Sequence, residues 1–144
     1  MVINIGKVLS REWEYISEEI KVINELAVSY SSIVKVIFEN DFLTHNEYKI
    51  KLCELCNKHA VAFVKTSTGF GFVKTNDGHY DYLGATDPDL ILMRRESIKS
   101  IQVKAAGKIR TLDDILRVRL LGVTRVGATA TESILIEAKR RGYN

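Results

Sequence analysis

The chain reads as an α/β protein, a mostly parallel sheet covered by helices, on three observations. Apolar runs of strand length alternate with helical patterns from beginning to end. The runs 33–38, 61–66 and 101–106 are almost continuously apolar, as strands of a parallel sheet buried on both faces are. Each of them holds a single lysine, Lys35, Lys65 or Lys104, and the last two runs lead into glycine-bearing turns.

Residues 2–5 predict a first strand. Residues 12–28 predict an amphipathic helix, with Trp13, Ile16, Ile20, Ile23 and Leu26 on its apolar face. A strand over 32–39 leads into a helix over 45–59, where Thr44-His45-Asn46-Glu47 has the form of a capping box. After the strand 61–66 comes Thr66-Ser67-Thr68-Gly69-Phe70-Gly71. Residues 72–82 then resemble a hairpin turning at Asn76-Asp77-Gly78, within an insertion at about 70–84. A helix over 88–98, opened by Thr86, precedes the strand 101–105. A helix over 112–121 is opened by Thr111 with Asp114 three residues on. The last unit is a strand at 124–126 and a helix over 131–141. These are five strand–helix units in one domain over 1–144. They form either a small open sheet or the back five-eighths of a closed barrel, which needs about 250 residues.

Composition narrows the function classes. With 144 residues, 46% hydrophobic and 27% charged, the chain suits one globular domain with a sizeable core. The net charge of +3 is spread along the chain apart from Arg94-Arg95 and Lys139-Arg140-Arg141, unlike the concentrated stripe of a nucleic-acid binder. No apolar run is long enough to cross a membrane and the first residues lack a leader pattern, so the expected location is cytoplasmic. Cys53 and Cys56 form a C-x-x-C, but inside a helical pattern rather than at its start. With His59 as the nearest further ligand, they read as small core groups rather than a redox pair or zinc site.

The lysines carry the chemistry. A hydrated ammonium is costly in a buried strand, and burial or a second cation nearby lowers its pKa. The resulting amine attacks carbonyl carbon to form a Schiff base. Residues at the carboxyl ends of parallel strands converge on one face, which brings Lys65 and Lys104 together there. Gly107-Lys108-Ile109-Arg110-Thr111 and Gly127-Ala128-Thr129-Ala130-Thr131 follow the last two strands, where backbone donors and a guanidinium make a phosphate cradle. The bland alternative is that the three lysines are strand-end residues reaching solvent. The insertion reads equally as a lid or as a solvated excursion, with His79 solvated at its tip.

Phe63-Val64-Lys65-Thr66-Ser67-Thr68-Gly69-Phe70 closely resembles the signature of deoxyribose-phosphate aldolases. So do Val103-Lys104-Ala105-Ala106-Gly107, Met1-Val2-Ile3-Asn4-Ile5-Gly6 and Lys35-Val36-Ile37-Phe38-Glu39. That resemblance implies a class I aldolase on a TIM barrel, here a partial barrel spanning its fourth to eighth strands. It implies cleavage of 2-deoxyribose 5-phosphate to acetaldehyde and glyceraldehyde 3-phosphate. By the same resemblance Lys65 matches the Schiff-base lysine and Lys104 the lysine that perturbs it. Thr68, Gly69, Gly107, Arg110, Gly127 and Thr129 match positions around the phosphate, and Lys35 and Glu39 match supporting polar positions.

No metal or organic cofactor is implied, because the lysine supplies the electron sink. By the same resemblance, the family's relay aspartate is expected immediately before the position of Met1, and its first three strands are expected to be missing from this stretch. The expected partners are a small phosphorylated sugar and either a second copy or a complementing chain, with no nucleic acid and no membrane. The family's paired glycines appear as Gly107-Lys108, so Lys108 is either strained there or a direct phosphate ligand. A non-catalytic remnant and a gene fragment stay open beside the aldolase reading.

Overall fold

The structure, a computed structural model, describes residues 1–143. Its main sheet has four parallel strands, β1 (Lys35–Ile37), β2 (Phe63–Lys65), β5 (Gln102–Ala106) and β6 (Val123–Gly127), adjacent in that order. A separate antiparallel pair, β3 (Val73–Lys74) and β4 (Tyr80–Asp81), forms a hairpin between β2 and β5. The helices are α1 (Ile5–Leu9), α2 (Trp13–Ser29), α3 (Asn46–Lys58), α4 (Asp87–Glu96), α5 (Leu112–Leu120) and α6 (Thr131–Arg140).

Strand alternation decides which face is core. Val36, Val64, Val103 and Ala105 are all 0% exposed and pack with Ile16, Ile20, Leu52, Leu90, Met93 and Val118 from the helices. Cys53 and Cys56 belong to this cluster as free thiols, and burial pushes Cys53 up to about 12. Lys35, Phe63, Lys65, Gln102 and Lys104 stand on the opposite face, since β-strand side chains alternate and register partners share a face, and a register irregularity between β5 and β6 brings Arg125 opposite Lys104 there.

The sequence expectations for α2, α4 and α5 hold to within a residue or two. Thr86 caps α4 through the Asp89 N–H, and Thr111 and Asp114 make a complete capping box on α5. Two expectations need correction. The strand expected over residues 2–5 is a single parallel bridge from Val2 to Ile37, because the Asn4 side chain accepts from Lys7 N–H and turns Ile5 into α1. The box expected at Thr44 does not form. Buried Leu43, leaving a short 3₁₀ turn over Asn40–Phe42, sets the chain path so that His45 becomes the cap, without a side-chain bond. Among the described residues no helix is long and apolar enough to cross a membrane.

Candidate active site

Sheet register places Lys65 of β2 directly opposite Lys104 of β5, and Lys104 opposite Arg125 of β6. Lys35 lies one layer back, opposite Phe63 rather than Lys65, so it does not share the level of the other two lysines. The Phe63 ring lies between two of these cations, with Lys35 Nζ 5.7 Å and the Arg125 guanidinium carbon 4.8 Å from its centroid. Cations over an aromatic face are held by its quadrupole, which orders this layer. Burial, then the Lys104 ammonium and more weakly Lys35, hold Lys65 below the ordinary lysine range, against the pull of Glu39. Lys104 is lowered by burial, then by Lys35 and Arg125.

Glu39 organises the loop beyond β2. It is buried with φ 55° at the carboxyl end of β1, and its carboxylate accepts from Ser67 Oγ at 2.7 Å, Thr68 N at 2.9 Å and Thr68 Oγ1 at 2.5 Å. Thr68 Oγ1 in turn accepts from Phe70 N–H, so the hydroxyl is already committed. Thr66 Oγ1 ties the same loop to β5, donating to Ala106 O and accepting from Ala106 N–H.

A cavity of about 320 Å³ opens at the carboxyl ends of β2, β5 and β6. Lys65, Thr68, Gly69, Lys104, Gly107, Lys108, Arg110, Gly127 and Thr129 all line it, so the structure gathers the sequence-predicted site residues except Lys35 and Glu39 into one space. No carboxylate is among its lining residues, and of its cations Lys108 is paired from outside the lining, with Asp81. Such a space suits an anion.

The glycines have steric reasons. A Cβ on Gly127 would stand 3.3 Å from Ala106 Cβ, a tight approach, and 3.5 Å from Lys104 Cε, an ordinary contact, so the glycine eases the packing of β6 on Ala106. Gly107, at φ +98°, packs against Gly84, whose own Cβ would meet the Gly107 carbonyl at 2.7 Å. The capping-box carboxylate of Asp114 accepts from Arg110 and Thr111 N–H, fixing the turn that presents Arg110. Those bonds, the Arg110 N–H first, hold Asp114 below the usual carboxylate range.

Lys108 has φ 55°, the left-handed backbone expected of the family's second glycine. Its ammonium does not point free into the cavity; it donates to Asp81 Oδ2 at 2.7 Å and stands 5.3 Å from the Tyr82 ring centroid. Sequence reasoning missed Phe70 and Tyr82 as walls, Arg125 as a fourth cation and Asp41, whose carboxylate accepts from Leu83 and Gly84 N–H. Arg125 left no trace, because its two-residue offset from Val123 puts it on the core face by alternation and only the register irregularity between β5 and β6 turns it to the lysines. His79 is exposed at the hairpin tip. Among the described residues no group of three or more His, Cys, Asp or Glu side chains could hold a metal.

No family model matches the chain. A curated protein of Rhodopirellula baltica named deoxyribose-phosphate aldolase is 45% identical over 140 residues, covering 97% of this chain and 54% of its own length. One of Clostridium perfringens, with the same name, is 40% identical over 134 residues, covering 93% and 54%. By sequence, the chain belongs to the deoxyribose-phosphate aldolase family.

It spans about half the length of the curated relatives it matches. A crystal structure from Coccidioides immitis, described as a candidate deoxyribose-phosphate aldolase, superposes with a TM-score of 0.83 at 28% identity, over 96% of this chain and 51% of that one. The aldolase-family fold is a TIM barrel, and the β1–β2–β5–β6 sheet with its Val2 bridge is a continuous part of it. The family resemblance read from the signature stretches is borne out.

Proposed function

We propose that this chain carries the Schiff-base and phosphate-binding part of a 2-deoxyribose-5-phosphate aldolase site. One observation carries the reading: Lys65 and Lys104 are register partners in the same acid-free cavity as the two glycine turns. Lys65 is the nucleophile, since burial and the neighbouring ammonium favour its neutral amine. The amine bonds to C1 of the open-chain sugar, and the carbonyl oxygen takes up protons and leaves as water. A base accepts the proton of the C3 hydroxyl as the C2–C3 bond breaks, and glyceraldehyde 3-phosphate leaves. The electron pair rests in the enamine on Lys65. Protonation at C2 and hydrolysis then release acetaldehyde and restore the amine.

Lys104 keeps Lys65 neutral and shuttles protons. The N–H groups of the turns at Gly107 and Gly127, with Arg110 and Thr129, take the phosphate at the barrel's usual end for it. Lys35 and Glu39 support from behind, Lys35 by charge and Glu39 by holding Ser67 and Thr68, with Ser67 Oγ in turn accepting from Gly69 N–H. The reaction is a cytoplasmic one on a small phosphorylated sugar.

The test is borohydride reduction of the 144-residue chain with acetaldehyde, mapped by peptide mass spectrometry. An N-ethyl adduct confined to Lys65 is expected. Labelling scattered over surface lysines, or none, would refute the nucleophile and leave a sugar-phosphate binder.

A further inference from the structure

The hairpin and Lys108 are mechanically joined. An L side chain in left-handed backbone is disfavoured, so a lysine at φ 55° calls for a compensating contact. That contact lies on the inserted hairpin: Asp81 takes the ammonium and Tyr82 lies beneath it. Tyr82 also meets Phe72 edge-on at 5.1 Å between centroids, so the grip reaches both ends of the hairpin. The tip, from Asn76 to His79, is exposed.

Tyr82 and Lys108 both line the cavity beside Gly107 and Arg110. An ammonium has three donors, and Asp81 uses one. Exposed pairs of this kind contribute little by themselves. An anion seated at the turn would take a second donor, placing the cation between two anions and drawing the hairpin down. Without Lys108, the Asp81 carboxylate would instead face that anion unshielded.

We infer that Lys108 is a positioning residue that couples anion occupancy of the turn before α5 to closure of the hairpin over the cavity. The inference rests on the reading above that this turn binds phosphate. It assigns Lys108 a role toward the hairpin that neither strain nor simple phosphate ligation would give.

The experiment is amide hydrogen exchange of the full chain with and without saturating inorganic phosphate, together with amide chemical shifts. The Thr75 amide, bonded to His79 O at 2.8 Å, reports the hairpin, and the amides of Gly107, Arg110 and Gly127 report the turn. Phosphate is expected to slow Thr75 exchange by about threefold or more in the wild type. In Lys108→Gly and Asp81→Asn the turn amides still respond while Thr75 does not. Lys108→Arg keeps the coupling, and Asp81→Asn placed on Lys108→Gly recovers phosphate affinity. Turn amides that respond while Thr75 is unchanged in the wild type, or slowed equally in Lys108→Gly, overturn the coupling alone. Turn amides that never respond overturn the phosphate reading and the coupling with it.

Discussion

Replacing Gly84 by alanine tests whether the hairpin is packed onto the turn before α5 backbone to backbone. Gly84 has φ +71°, where an L residue costs about 1–2 kcal/mol. Its new Cβ would lie 2.7 Å from the Gly107 carbonyl carbon and oxygen and 2.9 Å from Gly107 Cα, all backbone atoms that cannot rotate away. Overpacking of this kind costs about a further 1–3 kcal/mol. Stiffening the unfolded chain returns about 0.4–1 kcal/mol, leaving a net loss of about 3 kcal/mol. Gly69→Ala is the matched control: φ is +89° there, but nothing lies within 4 Å of the added carbon. Only the conformational terms apply, so it loses about 1 kcal/mol. Urea unfolding followed by circular dichroism compares them, and with a slope of about 1.5 kcal/mol/M the midpoints separate by roughly 1 M. Equal losses in the two variants would refute the close approach of Gly84 to Gly107.

Two further outcomes are expected. Lys104→Met removes the like charge beside Lys65, so the Lys65 ammonium holds its proton to higher pH. The pH profile of borohydride trapping, which rises as Lys65 loses its proton, then moves in the alkaline direction, and an unchanged profile would show the pair to be uncoupled. Lys49→Met breaks a buried pair with Asp89, 2.5 Å apart and 7% and 13% exposed, at a cost of about 3–5 kcal/mol in urea unfolding. Lys49→Met with Asp89→Leu recovers most of that loss, whereas a double variant as unstable as the single one would refute the buried charge as its cause.

Much of the fold was legible because it rests on local patterning. The helical spacing of Ile16 and Ile20, the box at Thr111 and Asp114, and the valines of the strands each satisfy a rule within a few residues. Where two local rules competed, the sequence misled. Asn4 capped a helix where the apolar run 2–5 suggested a strand, and the path leaving Leu43 displaced the box at Thr44.

The sequence by itself determined the alternation of strand and helix, the family and the lysines and glycine turns in which a site was sought. Those are properties of residue type and spacing along the chain. Only the tertiary structure decided that Lys65 faces Lys104 while Lys35 stands one layer back, and that Arg125 joins them across Phe63. The tertiary structure alone also turned Glu39 into an anchor for Thr68 and set Lys108 against Asp81 and Tyr82. The reason is that strand register and loop approach are fixed by contacts between segments far apart in sequence. Periodicity shows which face a residue takes, but the residue standing opposite it is chosen by packing.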